Sequence, residues 1–392
     1  MKRWFSLFLT ALLFFSLFIG CKSVLTGDKI YLMSWNVQNL FDGVHNGGEY
    51  KEFDPAYNKW NESLFHDRLK NISEIILKTN PPFGPDIVVL MEVENANCLE
   101  QLNRFYLPQC GYAAPLVSKN PQGVQTALLT RLPILSINSY RLTTTPPMQS
   151  TRLRDIMEVE LKTPKGNCII FINHWKSRLG GEDKTEFYRL QSATILSHRL
   201  KELNDSFFHQ KEASKKQKRV PPIIICGDFN ESFDQFAKNG GKKITALLPF
   251  DEKLSFEENR KKLNELKGYS DFYNQMGIEP HPLFFAKPPF QETEASSTFP
   301  KTDLTQPPSM LLYNLWEWED EAQGSYFFRD KWETLDHFFV NEAFWQEGGL
   351  KLHSFEVIKE EKLLTKAGDP KKWITSLRQG YSDHLPLLLQ LH

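Results

Sequence analysis

The chain has 392 residues, 41% hydrophobic and 24% charged, so it can bury a substantial core and is neither disordered nor fibrous. A formal net charge of -1 excludes a protein whose whole surface is a basic nucleic-acid-binding field. Any contact with phosphate has to be local.

The N-terminus reads Lys2-Arg3, then an apolar run from Trp4 to Ile19, then Gly20-Cys21-Lys22-Ser23. A positive start, an apolar stretch too short to span a membrane comfortably and a small residue at its end mark residues 1–20 as an export signal. The word LFIGC resembles a bacterial lipobox, which implies that Cys21 is the lipidated first residue of the mature chain. That places the protein in the bacterial cell envelope, anchored to a membrane on the periplasmic or cell-surface side; the alternative is an ordinary signal with Cys21 incidental.

Aliphatic runs of strand length follow: KIYLMSWNV from Lys29, DIVVLMEV from Asp86, TALLTRLPILSI from Thr126, DIMEVEL from Asp155, CIIFINHW from Cys168, PPIIICGDF from Pro221, TLDHFFV from Thr334 and LPLLLQL from Leu385. Helical patterns lie between them, DRLKNISEIILKT from Asp67 and EFYRLQSATILSHRLKEL from Glu186. Strands interleaved with helices imply one layered α/β domain over residues 21–392. Residues about 280–325, with clustered prolines and the acidic aromatic word NLWEWEDEAQG, read as an irregular surface insertion. Lys211 to Arg219 read as a solvated basic loop. Cys168 and Cys226 sit in apolar runs and read as buried thiols, whereas Cys98 and Cys110 are either free or paired in an oxidising compartment.

Each of six strands carries a polar residue at an edge of its apolar run: Asn36, Glu92, Asn173-His174, Asp228 with Asn230, Asp336, and Asp383-His384. A buried strand gains nothing from an unpaired carboxylate, so six such endings imply one shared pocket. Carboxylates and carboxamides are the ligands of hard divalent cations such as Mg²⁺, with Mn²⁺ or Ca²⁺ as alternatives. Histidines beside them suit charge stabilisation and proton transfer. The set is that of metal-assisted phosphoryl chemistry.

The words SWNVQNLFD, VVLMEVEN, INHWKSR, CGDFNE, WETLDHFFV and YSDHLPL, in that order, resemble the endonuclease/exonuclease/phosphatase superfamily, whose members resemble DNase I, and in style its bacterial secreted or lipoprotein members. The resemblance implies a four-layer α/β sandwich, two β-sheets packed face to face and flanked by helices. It also implies roles: Glu92 as main metal ligand, assisted by Asn36 and Asp383; Asp228 and Asn230 orienting the attacking water and the phosphate; His384, held by Asp336, and His174 facing the phosphate oxygens. Arg178 in KSR and Arg152 in STRLRD are phosphate contacts by the same likeness. Some nuclease relatives carry an acid where this chain has Gln38, which leaves one or two metals open.

The implied activity is that of a divalent-metal phosphodiesterase, an extracytoplasmic nuclease acting as a monomer on nucleic acid. A phospholipid or sphingolipid head-group phosphodiesterase is the alternative within the same superfamily. A lipid-anchored binding protein without catalysis is the alternative of another class. The other histidines, His45, His66, His198, His209, His281, His337, His353 and His392, read as surface or packing residues, with His337 turned away from Asp336.

Overall fold

Unbroken aliphatic runs become strands covered on both faces, because only two packed layers can take both rows of side chains out of water. The computed structural model describes residues 29–113, 115–118, 123–142, 153–213, 221–289, 311–318 and 323–392. Cys21 and its leader, Arg152 and residues 214–219 lie outside the described residues, and residues 211–213 of the expected basic loop belong instead to the helix Glu182–Ala213. In chain order the first strands are β1 (Ile30–Leu40), β2 (Ile87–Val93), β3 (Leu116–Val117), β4 (Gln125–Thr130), β5 (Ile134–Tyr140), β6 (Ile156–Thr163), β7 (Gly166–His174) and β8 (Ile223–Asp228). They are followed by β9 (Leu247–Pro249), β10 (Leu283–Ala286), β11 (Leu312–Asn314), β12 (Tyr326–Phe328), β13 (Lys331–Glu333), β14 (Asp336–Asn341), β15 (Leu352–Val357) and β16 (Leu387–Leu391).

One sheet has six strands in the order β15-β16-β1-β2-β4-β3, a second has eight in the order β5-β6-β7-β8-β14-β11-β10-β9, and β12-β13 form a separate hairpin. Side chains alternate along each strand, and the alternation sorts the core into layers. Leu32, Val89, Leu387 and Leu389 of the six-stranded sheet share one apolar cluster with Ile170, Ile172, Ile224, Cys226 and Phe338 of the eight-stranded sheet. On the far face of the first sheet, Met33, Trp35, Val88 and Leu90 pack with Leu69, Ile72 and Ile76 of the Glu62–Thr79 helix. On the far face of the second, Phe171, Ile225 and Phe339 pack with Ala193, Leu196 and Leu200 of the Glu182–Ala213 helix. The four layers are therefore helix, sheet, sheet, helix.

The run TALLTRLPILSI is two strands. β4 ends at Thr130 in one sheet and β5 begins at Ile134 in the other. Buried Arg131 secures the crossing, with Nε 2.8 Å from Asp86 and its NH groups donating to the carbonyls of Phe83, Gly84 and Cys110. The segment at 280–325 is not wholly irregular: β10 and β11 lie within it and belong to the eight-stranded sheet, and Phe285 and Leu312 enter the core under the long helix. Strands of four and three residues are too short to show a period. Cys98 and Cys110 are buried free thiols, and Cys168 and Cys226 are buried as well. No described helix is long and apolar enough to cross a membrane.

Candidate active site

Register builds the site. β7 runs parallel to β8 with His174 opposite Asp228, and β14 runs antiparallel to β8 with Asp336 opposite Asp228. These three residues stand abreast, each two residues beyond an inward-facing neighbour (Ile172, Cys226, Phe338), so all three face the other sheet. Gly227 lets β7 and β8 close up at this level: a Cβ there would lie 1.9 Å from the Asn173 carbonyl oxygen, and its φ is +127°.

From the facing sheet comes Asn36, whose Nδ2 donates to Asp228 Oδ2 at 3.0 Å and to Glu92 Oε1 at 3.2 Å, while its Oδ1 accepts from the Gln38 N–H. Its carboxamide thus bridges two acids. Simple alternation along β2 would send Glu92 to the outer face, because Val89 and Met91 face inward. A left-handed backbone at Glu92 (φ 66°) and a register shift between Met91 and Val93 turn it back into the site. The Asn39 N–H fixes its second oxygen at 2.8 Å.

The dyad forms as the resemblance implies: His384 Nδ1 lies 2.7 Å from Asp336 Oδ2. Ser325 Oγ donates to the same oxygen at 2.6 Å, and the Trp35 indole N–H holds the His384 carbonyl at 2.9 Å. His384 Nε2 lies 3.9 Å from Asp228 Oδ2, and His174 Nε2 lies 3.7 Å from the same oxygen and 3.8 Å from Glu92. Asn230, at φ 51°, donates its N–H to Asp228 Oδ1 (2.8 Å) and its Nδ2 to the Trp175 carbonyl (3.2 Å). Among the described residues, Asp336 Oδ1 and His174 Nδ1 are buried with no hydrogen-bond partner.

Burial and like charge set the proton affinities. Burial pushes the Asp228 carboxyl up to about 7, against the pull of His384 and with the push of Asp336. Burial and the Asp383 charge also raise Glu92. Burial works to strip the proton from His384, but the charge and hydrogen bond of Asp336 prevail and hold it at about 10. His174, buried without an acid in hydrogen-bond range and facing Arg154, His384 and Lys176, falls well below the usual histidine range.

Asn36, Glu92, His174, Asp228, Asp336 and His384 therefore meet directly, with Asn230 joined through the backbone and half-buried Asp383 at the rim. Arg178 is tied to Glu333 of β13 and lies 3.8 Å from Glu182. Arg152 lies outside the described residues. Two cations escaped the sequence reading. Arg154, two positions beyond Arg152, acts on Glu92, His174 and Lys176, and Lys176 acts on His174. The word LRD and the Lys of NHWKSR were the available signals. Arg68 was missed too: fully buried, it donates to the carbonyls of Tyr381, Val37 and Gln38 and so ties the Asp383 loop to the end of β1. His337 is a packing residue turned away from Asp336. It lies on the far face of the sheet beneath the helix layer, fully buried, stacked on Phe339, with Nε2 2.8 Å from the Glu231 carbonyl.

The model of the Endonuclease/Exonuclease/phosphatase family matches residues 31–248. No curated protein matches the chain. Among solved structures, D. rerio TDP2 complexed with a single-strand DNA product is similar at 14% identity over 93% of this chain and 100% of that one, TM-score 0.48. Truncated Caenorhabditis elegans TDP2 is similar at 12% identity over 93% and 97%, TM-score 0.47. An endonuclease/exonuclease/phosphatase family protein from Bacteroides thetaiotaomicron is similar at 15% identity over 93% and 97%, TM-score 0.47. The family match spans more than half of the chain and includes Asn36, Glu92, His174, Asp228 and Asn230, and the chain belongs to the endonuclease/exonuclease/phosphatase family.

Proposed function

We propose that the protein is a divalent-metal-dependent phosphodiesterase that directs water onto phosphorus, and that it works as a nuclease at the bacterial envelope, a monomer held to the membrane by lipid on Cys21. One observation carries the reading: acids, an amide and two histidines from both sheets converge on Asp228 Oδ2, with both histidine Nε2 atoms 3.7–3.9 Å from it. Acids held together out of water resist ionisation, and a bound cation offsets that cost.

The donor set fits a hard cation. Burial and the Asp383 charge make Glu92 resist ionisation without a counter-charge, which a cation there would supply. Mg²⁺ held by Glu92, Asp383 and the Asn36 amide, or Mn²⁺ or Ca²⁺ in its place, would screen the phosphate charge and stabilise the displacement. The chain's own groups do the rest. Asp228, near neutrality in proton affinity, accepts the proton of the attacking water, and Asn230 holds the segment that aims it. His384 keeps its proton through Asp336 and presents a charged Nε2 to the phosphate oxygens. His174 stays neutral and donates one hydrogen bond without adding charge.

The test is hydrolysis of single-stranded DNA, RNA, sphingomyelin and inositol phosphates, each with Mg²⁺ and with EDTA. Mg²⁺-dependent cleavage of a polynucleotide is expected. Turnover that persists in EDTA would overturn the metal reading, and turnover of sphingomyelin alone would move the protein to the lipid branch. Anchoring is tested apart: Cys21→Ser should abolish partition into membranes, and an unmodified mature N-terminus by intact mass would sink the anchor.

A further inference from the structure

The β12–β13 hairpin stands outside both sheets and is pinned at its base to the dyad. The Ser325 N–H donates to the Glu333 carbonyl at 3.1 Å, the Leu385 N–H donates to the Ser325 carbonyl at 2.7 Å, and Ser325 Oγ bonds Asp336. Its two faces differ. Phe327 packs edge-on against Trp332 at 5.3 Å, and Trp332 leans on the core beneath the Glu62–Thr79 helix. The opposite face carries Tyr326 and Phe328, two residues apart and on one side of the strand. The Tyr326 ring lies 4.6 Å from the His384 ring; Phe328 is nearly parallel to Tyr326 (19°) at 6.2 Å, yet is 49% exposed. Arg329 continues the row, its guanidinium 5.0 Å above Phe328. Core packing explains Phe327 and Trp332, whereas Phe328 and Arg329 stack on each other at the solvent-facing tip.

The turn adds an independent sign. Arg329 and Asp330 both take left-handed backbone (φ 49° and 60°) at the tip of a two-residue hairpin, where Asn-Gly is the favoured pair. A non-glycine residue in that region is strained, because its Cβ crowds the backbone. Arg329 sits at that strained position.

We infer that this face of the hairpin is a stacking ladder for single-stranded nucleic acid: the base beside the scissile phosphate takes the place of the Arg329 guanidinium over Phe328, which Tyr326 backs, and Arg329 turns to the next phosphate. The inference rests on the nuclease reading above. Stacking on aromatic rings is tolerant of sequence because every base has a π-face, and bases in a duplex already stack on one another. The ladder therefore selects unpaired strands without reading them, and it confines the cationic contact to one tip, consistent with a chain of net charge -1.

The experiment uses the full mature protein with Mg²⁺ on two substrates, a thymidine oligomer and the same oligomer with base-less residues flanking the central phosphate. Truncating a stacking residue costs about 1–3 kcal/mol per base, so Phe328→Ala should raise KM for the base-bearing oligomer about tenfold or more, and much less for the base-less one. Replacing Arg329-Asp330 by Asn-Gly separates function from folding: Tm should rise by about 2 °C or more while KM for the oligomer rises severalfold. Equal effects of Phe328→Ala on both oligomers, or a turn replacement that leaves KM unmoved, would overturn the ladder. Wild-type protein that cleaves both oligomers equally well removes the ladder and leaves the nuclease; protein that cleaves neither but turns over a lipid diester removes both.

Discussion

Two clusters of buried acids lie close together in this fold and are finished differently. Around Arg189, the guanidinium binds Glu186 at 2.6 Å, Glu231 at 3.1 Å and Thr185 at 2.9 Å, and the two carboxylates give their other oxygens to the backbone N–H groups of Ala246 and Leu247 at 3.1 and 2.9 Å. Every carboxylate oxygen there has a donor. Around Asp228, four acids face two histidines and one bridging amide, and Asp336 Oδ1 and His174 Nδ1 have no partner among the described residues. The Arg189 cluster ties the Glu182–Ala213 helix to the segment after Asn230 and to β9, a structural task complete within the chain. The Asp228 cluster leaves its acids and the facing histidine nitrogens 3.7–3.9 Å apart, outside hydrogen-bond range of one another.

The contrast breaks most visibly on chelation. EDTA should take turnover to background and Mg²⁺ or Mn²⁺ should restore it, whereas nothing in the Arg189 cluster responds to a metal. Next in size, His384→Ala should lower kcat by about 10² to 10⁴ with little change in KM. Asp336→Asn should cost less, and the double variant should match His384→Ala alone, since groups acting as a unit are not additive; losses that multiply would refute the pairing. Arg189→Met should act on stability instead, by about 3–5 kcal/mol in denaturant unfolding, because it leaves two carboxylates buried without their cation. His337→Ala should act on stability: it opens a gap between Phe229 and Phe339, so Tm should fall while the kcat of the folded fraction stays far above that of His384→Ala.

The smallest effect concerns Glu94, whose carboxyl burial pushes up to about 7. A carboxyl with a raised folded-state value binds its proton more tightly folded than unfolded. Its contribution is full below its ordinary value of 4.5 and is lost as pH rises through about 7. Glu94→Gln should flatten that decline in Tm between pH 5 and pH 7.5.

Much of this was legible in the sequence because aliphatic runs announce strands and a carboxylate at the end of one is hard to explain by packing. Asp228, His174 and Glu92 could be found that way. Who meets whom could not: that Asp336 stands opposite Asp228 depends on a strand pairing between residues more than a hundred positions apart, which no local pattern records. Glu92 was identified without its mechanism, since period two alone turns it the wrong way and only a left-handed residue corrects it. β15 escaped notice because LHSFEV mixes exposed and buried positions at a sheet edge. Arg154 was lost to Arg152 because two basic residues of equal promise stood two apart.

The pairing of β14 with β8 has one more consequence. Side chains reverse face with every residue, so a slip of a single position would carry Asp336 under the helices and swing His337 between the sheets. Such a chain would keep its strands and much of its apolar burial, and bulk spectroscopy would scarcely distinguish it from the native one. Its dyad would be gone. Specific activity after refolding is therefore a census of correctly registered molecules, an error count that the fold writes into its own chemistry.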